Sequence, residues 1–259
     1  MGPGKLPFMD VDLYLRRIGY AGPVTPAADT LRGLQLAHLL AVPFENLSIH
    51  AGEPILLDDD SLFDKIVRRR RGGFCYELNG LFAALLRALG FEVSMLSAGV
   101  AGDDGGFGPE FDHMALAVGL DRLYLADVGF GDSFREPLLV EERGEQVQGG
   151  EAFRIGAAGG RLVLTRRTGG GHWRPQYRFG LEPHVLADYA DMCRYHQTSP
   201  ASPFTRKRLC SMATPDGRIT LSGMTLITTG AGGRDERELR DEREYAGTLR
   251  EAFGVVLEG

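Results

Sequence analysis

The chain has 259 residues, with 35 acidic and 29 basic side chains and a net charge of -6. That balance argues against nucleic acid or an anionic membrane as a partner. An apolar content of 43% supplies a core for one large domain or for two to three small ones. The cysteines, Cys75, Cys193 and Cys210, are odd in number and show no zinc-ligand spacing. They read as free thiols in a reducing compartment, the cytoplasm, with no metal. The N-terminus shows no signal-peptide run, and no spanning segment follows. Residues 1–8 read as an expression scar ahead of Met9.

Asp10 to Ile18 reads as a short helix stopped by Gly19. Thr25 is placed to cap a second helix through Leu31, Leu34, Leu36, Leu39 and Leu40. Pro43 breaks that helix, and Val42 to His50 reads as extended. Asp58 to Ser61 offer caps for a third helix that runs to about Arg70. The basic run Arg68 to Arg71 is expected at a solvated helix C-terminus, where cations suit the dipole. Leu78, Leu81, Phe82, Leu85, Leu86 and Leu89 place one apolar stripe on a fourth helix, ended by Gly90.

Beyond Gly90 the period changes. Phe91 to Leu96 alternates like a strand, and residues 101–112 form an acidic, glycine-rich loop. His113 to Val118 and Arg122 to Val128 form a hairpin around Gly119, Leu120 and Asp121. Further strands are expected at 136–140, 152–156, 161–167 and 174–180, which suggests a barrel or a sandwich. A helix from Pro183 to Met192 leads into the loop Thr198 to Phe204. Arg218 to Leu221 and Met224 to Thr228 form a second hairpin. Asp235 to Phe253 reads as a charged surface helix.

The chemistry centres on Arg71-Gly72-Gly73-Phe74-Cys75-Tyr76-Glu77-Leu78-Asn79. Gly72 and Gly73 make a flexible entry, and Cys75 falls in the first turn of the fourth helix. The unpaired N–H groups and dipole there favour a thiolate, the nucleophilic form. By itself the stretch fits an inert buried thiol equally well. A nucleophile needs a base, and the base an orienting acid. With a three-residue loop at 119–121, Val118 faces Arg122, and His113 faces Asp127 on the same side of the hairpin. A two-residue loop would spoil this arrangement.

These blocks resemble the arylamine N-acetyltransferases. The resemblance rests on Arg71 to Asn79, Val42 to Leu47, His113-Met114, Tyr124 to Gly131 and Thr198 to Phe204. It implies an α+β fold: an N-terminal helical bundle (1–90), a central antiparallel β-barrel-like domain (91–190) and a C-terminal α/β lid (191–259). The catalytic core would be cysteine-protease- or transglutaminase-like, with a Cys75–His113–Asp127 triad. The resemblance also implies Phe44, Val100, Phe130 and Phe204 at the substrate, and Gly129, Gly131 and Asp112 at the acyl donor. Acetyl-CoA would be a co-substrate, with no tightly bound cofactor, and a small-molecule amine the acceptor.

Two departures stand out. Asp112 occupies a place where family members commonly carry Thr, and Ala101 and Gly102 follow Val100 where an aromatic is common. The acids of the 101–112 loop are expected to point to water. Arg206, Lys207 and Arg208, or Arg68 to Arg71, would offset them for an anionic donor. The family's macrolactam-forming amide synthases, which take a polyketide from an acyl carrier protein, offer an alternative. A cysteine hydrolase is another, and a non-catalytic binding module sharing the fold is a third.

Overall fold

The computed structural model describes residues 9–257, and the expected expression scar lies outside them. Helix α1 spans Val11–Ile18; Asp10 accepts a hydrogen bond from Leu13 N at its start, and Gly19 closes it in the left-handed conformation. Helix α2 spans Ala28–Ala41, and its N-cap is Ala27, not the expected Thr25. Val42 to His50 is not one extended segment. Strand β1 takes only Phe44–Glu45, and helix α3 follows at Leu47–Ala51. The Glu45 carboxylate accepts from Leu47 N at 2.6 Å and so turns the chain into the helix.

Asp58 caps helix α4, Asp59–Phe63, as its position predicts. The chain then continues as a π-helical turn over Asp64–Arg68. Arg17, buried on α1, donates to the carbonyls of Ala41, Ile66 and Arg71 and so anchors this turn. Burial pulls the Arg17 guanidinium down to about 10, helped by nearby Arg70.

The basic run that follows is split. Arg68 and Arg69 stay at the surface beside Asp64. Arg71 does not: it is 3% exposed and pairs with buried Glu45 at 3.0 Å. Burial alone would raise the Glu45 carboxyl, but Lys65 and Arg71 hold it below the usual range. A second buried pair joins Lys65 to Glu77 at 2.6 Å. There burial wins, and the Glu77 carboxyl is pushed up against the pull of Lys65. Glu77 lies on helix α5, Cys75–Ala88, which is buried along nearly its whole length.

Strands β2 (Glu92–Val100), β3 (His113–Gly119), β4 (Leu123–Ala126), β5 (Leu138–Leu139), β6 (Gln146–Gln148), β7 (Glu151–Ala158), β8 (Arg161–Thr168) and β9 (Arg174–Phe179) form one antiparallel sheet. Its order is β5-β4-β3-β2-β9-β8-β7-β6. Glutamine side chains bring its two edges together into a barrel-like form. The Gln146 amide accepts from Leu139 N at 2.8 Å and donates to Leu139 O at 3.0 Å. Gln148 accepts from the N–H groups of Arg135 and Glu136. These amides stand in for the peptide groups of a closing strand. Phe134, Phe153, Ile155, Leu164, Tyr177 and Phe179 fill the interior.

The expected helix from Pro183 to Met192 is displaced. A 3-10 turn covers Leu186–Tyr189, and helix α6 runs over Ala190–Thr198. Strands β10 (Leu209–Thr214), β11 (Gly217–Ser222), β12 (Thr225–Gly230) and β13 (Gly233–Glu238) follow, and helix α7 covers Glu242–Phe253. The predicted helix from Asp235 is therefore wrong in its first part. Gly233–Glu238 pairs as an edge strand whose exposed charged side chains discourage further pairing. The helix starts only after Asp241, which accepts from Glu244 N. Strand β1 joins this second sheet, with Phe44 opposite Ser211 and Glu45 opposite Cys210. That pairing ties the helical part of the molecule to its C-terminal layer.

Removing one partner of the buried Lys65–Glu77 pair strands a charge in the core. Lys65→Met should cost about 3–5 kcal/mol in urea unfolding. The double variant Lys65→Met/Glu77→Gln, which keeps an acceptor for Phe74 N, should cost markedly less.

Candidate active site

Cys75 is the first residue of α5 and is 3% exposed. The glycines before it are not a flexible entry. A Cβ on Gly72 would collide with the Pro43 carbonyl oxygen, so glycine lets this segment press against β1. Glu77 then closes the first turn, accepting from Phe74 N at 3.1 Å.

His113 opens β3, and Asp127 directly follows β4. The hairpin register differs from the expected one: Val118 pairs with Tyr124, and Gly119 with Leu123. The loop has three residues, but they are Leu120, Asp121 and Arg122, one position later than expected. This moves the pairing by two residues, and side chains alternate with period two. His113 and Asp127 therefore still share a face, as diagonal neighbours instead of direct ones. Their Nε2 and Oδ2 atoms lie 2.7 Å apart, both side chains buried. A carboxylate can only accept, so Nε2 carries the imidazole proton and Nδ1 keeps a lone pair.

The helix start does not make Cys75 a thiolate. Burial pushes its thiol well above the ordinary range, and the carboxylates of Asp127 and Asp112 add to that. The nearby Met114 backbone N–H works the other way. Desolvation outweighs the dipole here, so the thiol must lose its proton to a neighbour rather than to water.

Asn79 was quoted in the sequence pattern without a role. One turn along α5 from Cys75, its Nδ2 donates to Met114 O at 2.6 Å and to Asp127 Oδ1 at 2.8 Å. Its Oδ1 accepts from Val128 N at 2.9 Å. One amide thus locks α5 to β3 and to the loop that carries Asp127. The readable signal was a polar residue four positions after Cys75 and embedded in an apolar helix. Gln35 completes the clasp by accepting from Asp127 N at 3.2 Å, and no local pattern announces it. Gly129 lies against Cys75: a Cβ there would be 2.8 Å from Cys75 Cα and 2.7 Å from Asn79 Nδ2.

The other predicted residues divide between two walls. Phe130 meets the His113 ring edge-on at 5.2 Å, and Tyr177 packs on the same ring at 5.1 Å. Phe204 lies 5.6 Å from Phe74 and 6.1 Å from Phe44. Gly131, with φ of 92°, backs onto the Phe44 ring. Val100 and Phe130 border a hollow of about 510 Å³ that is also lined by Arg166, His172, Arg174 and Gln176. Other cavities, of about 440 and 810 Å³, lie beside Lys65 and at the Leu123–Phe179 end of the barrel. None of the three is lined by Cys75, His113 or Asp127; the hollow at Val100 is the one that shares Phe130 with the His113 ring.

The acids of the 101–112 loop behave differently from one another. Asp103 and Asp104 face water, as expected, but Asp112 turns inward. Its Oδ2 accepts from Val100 N at 3.1 Å. Of the basic residues expected to offset these acids, Arg68, Arg69, Arg71, Arg206 and Arg208 are committed elsewhere, whereas Arg70 and Lys207 make no ion pair among the described residues. Arg71 holds Glu45, Arg208 holds Glu242, and Arg206 donates to backbone carbonyls. Among the described residues, no cluster of His, Cys, Asp or Glu is arranged to hold a metal.

A cysteine at a buried helix start, on a helix packed against an antiparallel sheet that carries a bonded histidine–aspartate pair, defines a cysteine-protease-like α+β architecture. The chain belongs to the N-acetyltransferase family, whose model matches residues 28–259. It is 34% identical to mouse arylamine N-acetyltransferase 2, covering 96% of this chain and 95% of that protein. It is 35% identical to the Mycolicibacterium smegmatis arylamine N-acetyltransferase, covering 96% and 93%. The Mycobacterium marinum enzyme solved in complex with CoA superposes with a TM-score of 0.87 at 35% identity, covering 95% of this chain and 93% of that one.

Replacing Asn79 tests the clasp. Asn79→Ala leaves Asp127 Oδ1, Met114 O and Val128 N short of a partner and should cost about 2–3 kcal/mol in urea unfolding. It should also slow alkylation of Cys75 by iodoacetamide, because His113 loses its fixed orientation.

Proposed function

We propose that this chain moves an acetyl group from acetyl-CoA to the amine of an arylamine or arylhydrazine, by a ping-pong route through acetyl-Cys75. The observation that carries this reading is the bond from His113 Nε2 to Asp127, which leaves the Nδ1 lone pair free to act as a base toward Cys75. Family membership supplies the reaction class.

In the first half, His113 Nδ1 takes the thiol proton and Cys75 attacks the thioester carbonyl. The C–S bond to CoA breaks, and His113 returns the proton to the departing CoA sulfur. In the second half, the amine attacks the acetyl-cysteine carbonyl, its proton passes to His113, and the Cys75 sulfur leaves and is reprotonated. The raised thiol fits this scheme: the thiolate forms only as a pair with the imidazolium that Asp127 stabilises. Cys75 and Tyr76 N–H lie in the first turn of α5, where intrahelical acceptors are lacking, and can receive the developing oxyanion. Phe44, Phe74, Phe130 and Phe204 keep water from the acyl-enzyme and present flat faces to an aromatic amine.

The hollow beside Val100 and Phe130 answers the need for positive charge. Arg166, His172 and Arg174 line it. Arg174 makes no ion pair among the described residues, so its charge is available to the donor's phosphates. We place the protein in the cytoplasm, since its three cysteines are buried and unpaired. No helix among the described residues is long and apolar enough to cross a membrane.

Incubation with acetyl-CoA should add the mass of one acetyl group to the wild type and release CoA thiol. Cys75→Ala should do neither. If acetyl-CoA leaves Cys75 unmodified while a carrier-bound acyl group is accepted, the amide synthase reading replaces this one. Arg174→Glu should raise the KM for acetyl-CoA by about tenfold, and affect p-nitrophenyl acetate, a neutral donor, far less.

A further inference from the structure

Asp112 stands immediately before His113, and its side chain is 19% exposed. The Tyr76 hydroxyl donates to the carbonyls of Phe111 at 2.6 Å and Asp112 at 3.3 Å, which holds Asp112 over the residue that follows Cys75. One carboxylate oxygen, Oδ2, is taken by Val100 N. The other, Oδ1, faces His196 Nε2 across 3.4 Å.

His196 is buried, and its Nε2 has no hydrogen-bond partner. Its Nδ1 lies 3.0 Å from Ser202 Oγ. That oxygen already accepts from Phe204 N at 3.2 Å, so its own O–H is left for Nδ1. The imidazole proton then sits on Nε2, directed at Asp112 from beyond good hydrogen-bond range. Asp112 is thus opposed only by one peptide N–H and one distant imidazole N–H. No Lys or Arg reaches it within ion-pair distance among the described residues.

Asp132, at the other side of the site, is the contrast. Its carboxylate is held by Arg166 at 3.0 Å and by Arg218 at 3.1 Å. Asp132 is neutralised locally and Asp112 is not. The electrostatic reach of Asp112 extends to the thiol, which it helps to push up. Asp127 adds a second carboxylate there, bonded to His113, Asn79 and Gly129 and to no Lys or Arg.

We propose that Asp112 makes the acceptor site charge-selective, drawing arylamines and arylhydrazines that carry a second, positively charged group and repelling those that carry a carboxylate. This rests on the amine-acetylating reading of the site. The hollow that holds Arg174 offers the anionic donor a positive charge, and Val100, whose N–H binds Asp112 Oδ2, stands on its border. A carboxylate about 8 Å from a substituent, with intermediate dielectric, should separate cation from anion by roughly tenfold or more.

The test uses the intact protein acetylated by acetyl-CoA. Its acceptors are 4-(aminomethyl)aniline, 4-aminobenzyl alcohol and 4-aminophenylacetate, which bear an ammonium, a neutral and a carboxylate group. The wild type should show kcat/KM falling in that order, with about tenfold between the ends at low ionic strength. Added salt should shrink that ratio. Asp112→Asn, which keeps an acceptor for Val100 N, should collapse the ratio, chiefly through the KM of the ammonium acceptor. A wild-type ratio near one, a reversed or salt-insensitive ratio, or an Asp112→Asn ratio equal to wild type would overturn the proposal. Should Asp112→Asn fail to fold, Asp112→Thr takes its place: it should collapse the ratio in the same way, and a wild-type ratio in it would overturn the proposal. Failure of Cys75 to take up acetyl at all would sink the underlying reading instead, since it precedes any acceptor.

Discussion

One side chain holds the site together. The Asn79 amide reaches from the helix that carries Cys75 to the strand that begins with His113 and to the loop that carries Asp127. Each of these groups is buried, and a buried polar group without a partner is costly. Losing one member of the clasp therefore leaves others without a partner. The close approach at Gly129 and the bond from Asp127 N to Gln35 follow from it. Cys75 comes from the helical part and the His113–Asp127 pair from the sheet, so this interface sets their relative positions.

Burial shapes the chemistry as much as geometry does. A thiol at a helix start is expected to ionise readily, yet Cys75 is pushed the other way by desolvation and by two carboxylates. On the proposed mechanism the reactive form would be a pair shared with His113. Behind the site lies the same kind of compensation. Glu45 with Arg71, and Glu77 with Lys65, are buried charges answered by buried charges. They brace the turn before Cys75.

Much of this was legible from local pattern. The apolar stripe from Leu78 to Leu89 located the helix, and the hairpin placed His113 and Asp127 on one face. That second inference survived an error: the loop lies one residue later, but its odd length kept the parity of the strands. The misses share a cause. Gly233–Glu238 is charged enough to pass for a helix, and only pairing with β12 makes it a strand. Arg71 looked like the end of a solvated run, and only Glu45, twenty-six positions earlier, draws it inside. Gln146 and Gln148 gave no strand signal beyond their own peptide groups, although their side chains close the barrel.

The sequence by itself determined which residues could do chemistry and on which face of helix or strand each would lie. Periods of 3.6 and of two residues are local properties of the backbone, written in the order of side chains. The tertiary structure alone decided the 2.7 Å contact between His113 and Asp127, the state of the Cys75 thiol, and the partners of Asn79, Gln35 and Asp112. Those depend on groups far apart in the chain and on how much water is excluded between them. No local repeat encodes either quantity.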